Sequence, residues 1–191
     1  MSIIMAVDQS STSSGISLFK DGQLADYWLI KPKSSKRADE IYAEELDHTI
    51  SIVMPEAMYS TTLLRITAIV DQFEKLIEQF KPDVVYFEEI FVANRVQNIS
   101  GFRSLSRLQG FIAHCCWKHQ TPYVIVEESK WINSLGTYGR GIGRTERKAD
   151  IMQKMNDRYG LNITTDDISD AIAIGTYASQ IDQPCLYDDI K

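Results

Sequence analysis

A chain of 191 residues, 44% hydrophobic and 24% charged, suits one domain that buries about 70% of its unfolded surface. Its three cysteines, Cys115, Cys116 and Cys185, include two sequence neighbours and an odd count, which excludes a disulfide framework and points to a reducing cytoplasm. No secretion signal or membrane-length apolar run is visible, and His114 and His119 flank the cysteine pair without a second cluster for a zinc site.

In chain order, Ile3-Ile4-Met5-Ala6-Val7-Asp8 is an apolar run too short for a helix, broken at once by Ser10 to Gly15. It reads as a central strand that ends in a carboxylate, where open α/β sheets place their ligands. Alone, Asp8 equally suits the opening of a polar turn. Gly15 to Phe19 predicts a second strand, Asp21-Gly22 a hairpin turn, and Leu24 to Ile30 a third, antiparallel strand. Residues 32–59 read as an irregular, functional insertion with a helical piece around Ala38 to Leu46. From Ser60, its expected cap, an amphipathic helix carries Leu63, Ile66, Ile69, Val70, Phe73, Leu76, Ile77 and Phe80 to a stop at Lys81-Pro82, with Arg65 and Glu74 on its surface.

Val84 to Glu88 repeats the opening theme of an apolar strand ending in an acid. Glu89 points to the other face, so one of the pair faces any site. A helix from Ile99 to Lys118 buries Phe102, Leu105, Leu108, Ile112 and a cysteine, with Gln109 and Gly110 marking a close helix approach. Pro122 to Val126 is the last strand, and Ser129 caps a short helix through Trp131 to Leu135. Residues 136–143 form a flexible basic loop without the ending of a phosphate cradle. Thr145 opens a helix that stops at Gly160, and the final helix begins near Thr165.

The net charge of −6 argues by itself against a nucleic-acid partner, but its distribution does not. Ile90 to Val126 contains no acid, and Lys130 to Arg158 holds seven basic residues against three acids, so a polyanion meets a positive face. Asp167 and Asp170 share one face of the final helix. The helix dipole accounts for Asp166 and Asp167 in the first turn, and accounts less well for Asp170, which opens a small apolar stretch and needs a positive partner if buried. Asp8, Glu88, Asp167 and Asp170 then make an oxygen-only metal site of net −4, suited to Mg²⁺ or Mn²⁺. Two such ions ~3.5–4 Å apart support in-line phosphoryl displacement.

The order of elements, with Ile4 to Asp8, Phe87-Glu88-Glu89-Ile90-Phe91-Val92-Ala93-Asn94 and Asp167-Ile168-Ser169-Asp170-Ala171, resembles the ribonuclease H-like superfamily, and within it the RuvC-type Holliday junction resolvases. The resemblance implies an α/β fold with a mixed five-stranded sheet, three antiparallel strands then parallel ones, flanked by helices. It covers one nuclease domain over 1–180, with 181–191 as a tail. It implies a Mg²⁺-dependent, homodimeric endodeoxyribonuclease with two ions per site, which cuts four-way junctions or other branched DNA in the cytoplasm. Asp8, Glu88, Asp167 and Asp170 match its catalytic acids. Phe91 matches an aromatic at the junction crossover, and Arg95, Lys130, Arg140, Arg144, Arg147 and Lys148 fall in its basic DNA-facing region. The chain departs from the pattern at Asp8-Gln9-Ser10, in its longer 32–59 segment and around Tyr138 to Arg144, which suggests a phage-borne member working without a branch-migration motor. Two other readings compete. One is an actin-like nucleotide-binding ATPase domain, suggested by Asp8 and the serines after it, although 191 residues do not hold the two domains such folds need; the other is a non-catalytic branched-DNA-binding protein.

Overall fold

The computed structural model describes residues 2–90, 99–136 and 143–181. The first three strands are β1 (Ile3–Asp8), β2 (Ser14–Lys20) and β3 (Gln23–Ser35), paired antiparallel in succession as the sequence predicts. The β2–β3 turn places Asp21 and Gly22 at φ 49° and 78°, the left-handed geometry that matches strand twist in a two-residue hairpin.

Residues 32–59 are far more regular than the sequence suggests. β3 runs on to Ser35, and β4 (Tyr42–Leu46) and β5 (Thr49–Pro55) form a second hairpin; the helix expected around Ala38 to Leu46 is strand from Tyr42 onward. Ile50, Ile52 and Met54 alternate into the core and hold β5 parallel to β3, whereas β4 is wholly exposed and carries no apolar period for a reader to find. Its turn, Asp47-His48, takes left-handed φ at both residues without a glycine.

The chain continues through α1 (Glu56–Tyr59), α2 (Thr62–Phe80), β6 (Val84–Glu88), α3 (Ile99–Lys118), β7 (Tyr123–Val126), α4 (Glu128–Ser134), α5 (Arg144–Tyr159) and α6 (Asp166–Gln180). The sheet order is β4-β5-β3-β2-β1-β6-β7, so seven strands replace the five expected; the extra pair is the β4–β5 hairpin on the far edge. β6 lies parallel to β1 and β7 parallel to β6. Several helix starts shift by a residue or more: Thr61, Glu127 and Gly143 take the cap positions assigned to Ser60, Ser129 and Thr145. The stops at Lys81 and Gly160 hold, both left-handed. No helix among the described residues is long and apolar enough to cross a membrane.

Strand alternation sorts the core into two layers. Met5, Val7, Val85 and Phe87 face α2 and α3, while Ile4, Ala6, Val84 and Tyr86 face α4, α5 and α6. On α3, Leu108, Ile112, Cys115 and Cys116 are buried. Phe102, expected inside, is exposed, and Gly110 has open space beside it where a close approach was expected.

α6 lies hard against β1 and β2. A Cβ on Gly15 would sit 1.9 Å from the Asp167 carbonyl oxygen, and one on Gly175 would sit 2.4 Å from the Phe19 ring. Between them the buried Ser17 hydroxyl donates to the Ala171 carbonyl at 2.8 Å. These small residues let the helix backbone reach the sheet. Gly15→Ala is therefore expected to push α6 away from β2 and lower stability by ~1–3 kcal/mol. Gly22→Ala, with nothing nearby, strains only its own turn. Thermal unfolding of both variants, with hydrogen exchange of the α6 amides measured in parallel, checks that Gly15→Ala alone disturbs the acid-bearing helix.

Candidate active site

The parity that sorts the core also aims the acids. Asp8 follows Ile4 and Ala6 on the α6 side of β1, and Glu88 follows Val84 and Tyr86 on the same side of β6. Val7 pairs with Phe87, so Asp8 and Glu88 end neighbouring strands side by side. Glu89, just past the end of β6, is exposed and lines the rim of the cleft these acids share, so the expectation that one of the pair alone faces the site does not hold. The first turns of α6 cross above these strand ends and bring Asp167 and Asp170. All four acids line one cleft of about 500 Å³, together with Arg144, Arg147 and Lys148 from α5.

Each acid is hard to ionise without a counter-charge. Burial, then Asp170, Glu88 and Asp167, push Asp8 well above the usual carboxylate range. Burial and the nearby Glu128 push Glu88 up to about 7, against a hydrogen bond from Trp131. Burial also raises Asp170 to about 7, opposed by Lys148 and reinforced by Glu88, Asp166 and Asp167. Asp167 is raised by burial, less so because Ser13 donates a hydrogen bond to it. For Lys148, burial disfavours the ammonium, but contact with Asp166 and with Asp170, at 4.0 Å, more than offsets this and raises its pKa.

The residues fit divalent cations. Asp170 Oδ1 is buried without a hydrogen-bond partner, and the four carboxylates present hard oxygens only. A set of acids spread around a cleft is what two ions ~3.5–4 Å apart require.

Four supporting residues went unread in the sequence. Ser13 donates to Asp167 Oδ2, and Trp131 Nε1 donates to Glu88 Oε1 at 3.2 Å. Gln9 and Gln109 both donate to the Glu88 carbonyl, at 2.8 and 3.0 Å, which fixes the end of β6. Their signal was position beside an acid-bearing strand, which needs the fold to be read.

The basic residues divide. Arg144, Arg147 and Lys148 stand at the cleft, Arg147 paired with Glu128 at 2.8 Å. Lys130 is exposed on α4, 3.6 Å from Glu127, and does not line the cleft. Phe91, Arg95 and Arg140 lie outside the described residues, as do Tyr138 and Cys185.

Against known protein families, residues 49–180 match the model described as Lactococcus phage M3 protein. The chain belongs to this phage family. A curated relative, the crossover junction endodeoxyribonuclease RuvC of Thermomicrobium roseum, is 26% identical over 110 residues, 58% of this chain. The match spans 64% of that relative's length, just under two thirds. Among solved structures, RuvC of Thermus thermophilus in complex with a Holliday junction substrate superposes at a TM-score of 0.63 with 13% identity, covering 93% of this chain and 92% of the other. The Fowlpox virus resolvase, solved with Holliday junction DNA, reaches 0.51 with 13% identity over 93% and 96% of the two chains. The chain thus has the RuvC-like, ribonuclease H-like fold that its sequence resembles.

Proposed function

We propose that this chain is a metal-dependent, structure-selective DNA endonuclease that resolves Holliday junctions and related branched DNA by paired phosphodiester hydrolysis. The observation that carries the reading is the convergence of Asp8, Glu88, Asp167 and Asp170, from three separate elements, in one cleft edged by Arg144, Arg147 and Lys148. Similarity to RuvC and to two solved resolvase–junction complexes supports it.

In this reading the four acids hold two Mg²⁺ ions, with Mn²⁺ as a substitute. Such ions supply Lewis-acid activation of a phosphodiester and of the attacking water. The protein's own contribution is placement. Ser13 orients Asp167, and Trp131 and the Gln9–Gln109 pair orient Glu88. Lys148 neutralises Asp166 and reaches toward Asp170, while Arg144 and Arg147 meet DNA phosphates. Lys130 extends that contact beyond the cleft, and the sequence resemblance assigns Phe91, Arg95 and Arg140 to DNA as well. Residues 1–180 act as one nuclease domain in a homodimer, one site per subunit for the two symmetric nicks. Exposed Leu63 and Leu64 on α2, with Phe111 and Trp117 on α3, offer apolar surface for a second copy. The setting in this reading is the bacterial cytoplasm, or the host cytoplasm for a phage-encoded chain.

The test is cleavage of an immobile four-way junction in Mg²⁺, beside a linear duplex of the same sequence. Paired symmetric nicks on the junction, with the duplex spared, support the reading; no metal-dependent cutting of either DNA overturns it in favour of a junction-binding protein. Binding itself is expected to fall with salt. If Arg144 and Arg147 each neutralise one phosphate, affinity drops about 12-fold per subunit on a fourfold salt increase. A flat salt titration contradicts the assignment of these residues to DNA.

A further inference from the structure

α3 leaves the acid-bearing end of β6 and runs down to the start of β7, so its carboxyl end lies at the opposite end of the sheet from the cleft. There the helix continues one step past Lys118, with the His119 amide donating to the Cys115 carbonyl at 3.1 Å. Cys115 and His119 are thereby four residues apart on one helical face. α2 packs across them and supplies Glu74, whose Oε1 lies 2.6 Å from His119 Nε2. The ligand atoms of Glu74, Cys115 and His119 all lie within 4.8 Å of one another, the one such trio found among the described residues. The sequence held no second cluster beside the cysteine pair because that cluster comes from another helix, some forty residues earlier.

We propose that Glu74, Cys115 and His119 form a transition-metal site, suited to Zn²⁺, that clamps α2 to α3 away from the acid cleft. One thiolate, one imidazole and one carboxylate are a borderline-soft donor set, unlike the hard oxygens of the cleft. Zinc–ligand distances of ~2.0–2.3 Å place ligand atoms ~3.3–3.8 Å apart, so side-chain shifts of about an ångström close the site. Glu78, one turn beyond Glu74 with Oε1 3.9 Å from His119 Nε2, is in place as a fourth ligand. Glu78 and His119 also line an open cleft of about 580 Å³, which gives an ion a path in.

Without metal the positions are held by protons and by Lys118. Its ammonium donates to Glu74 Oε1 at 2.7 Å, and burial keeps the Cys115 thiol protonated, with its pKa up to about 12. Loading Zn²⁺ releases the thiol proton to solvent and frees Lys118, whose exposed side chain turns to water.

The proposal is independent of the nuclease reading, and its test does not use activity. Full-length protein is titrated with Co²⁺ in excess Mg²⁺, and thiolate-to-cobalt charge-transfer absorption, which the oxygen donors of the acid cleft cannot give, is followed. One equivalent is expected to produce that band, and Zn²⁺ to displace it. Cys115→Ser should abolish the band. His119→Gln, at a partly exposed position that tolerates change, should weaken Co²⁺ and Zn²⁺ affinity by more than ~100-fold, beyond the loss typical of an outer-shell partner. Absence of the band in the folded wild type, or its survival in Cys115→Ser, overturns the assignment. So does unchanged affinity in His119→Gln.

Discussion

Asp8→Asn is expected to abolish junction cutting while leaving junction binding nearly unchanged. Asp8 sits at the end of the central strand, and its charge is raised in energy by burial and by Asp170, Glu88 and Asp167 together. In the proposed function, cations relieve that charge. Asparagine keeps the shape and one oxygen but gives up the charge that holds an ion. Loss of a single electrostatic group at a reaction centre costs ~10²–10³-fold, and a direct ligand to a catalytic cation ~10³-fold or more. The basic residues of α5 are untouched, so gel-shift affinity for a four-way junction should stay within about twofold, less charge repulsion slightly favouring the variant. Cutting by Asp8→Asn at the wild-type rate removes Asp8 from the active site.

The second large effect is on stability, and it runs opposite to activity. Glu88 and Asp170 both have folded pKa values of about 7, against ordinary values of 4.5 and 3.8. Between those limits the folded protein holds more protons than the unfolded chain, so stability of the metal-free protein falls as pH rises through that window, and the raised Asp8 adds to the loss in the same direction. In the presence of a chelator, the midpoint of thermal unfolding should therefore be lower at pH 8 than at pH 5. Asp170→Asn removes one buried charge and should raise the metal-free midpoint at pH 8 by several degrees, from ~1–3 kcal/mol at ~2–4 °C per kcal/mol. The gain should shrink at pH 5, where the wild-type acid is already protonated. Mg²⁺ should stabilise the wild type more than the variant, because the ion binds only the folded acid cluster. A variant no more stable than wild type at pH 8 without metal shows that the cluster carries no stored repulsion.

How much of this was legible in the sequence depends on what each residue signals locally. β1 and β6 announce themselves as apolar runs ending in acids, and Asp167 and Asp170 announce a shared helix face, so the convergence of these four could be read from periodicity and confirmed by alternation across the sheet. The β4–β5 hairpin was hidden for a physical reason. β4 buries nothing, and β5 lies within a segment whose charge and Pro55 read as irregular. Gly110 was misread because a glycine signals close approach only where a neighbour arrives, as the Asp167 backbone does at Gly15 and the Phe19 and Ser17 side chains do at Gly175. The Glu74–Cys115–His119 trio was illegible, since no local spacing records which helix packs on which.

The contact between β2 and α6 sets the order in which this protein becomes dangerous to DNA, if it is the nuclease proposed above. Ser17 meets Ala171, and Ser13 meets Asp167, each across 154 residues of chain. A nascent polypeptide can build the three-stranded meander and even the β1–β6 pair while its ribosome is still translating, but two of the four acids arrive only with the final helix. Every shorter product, whether from stalled synthesis or from proteolysis ahead of residue 166, is thus born without half of its ligand set. The fold withholds half of that proposed ligand set until residue 170 has been translated.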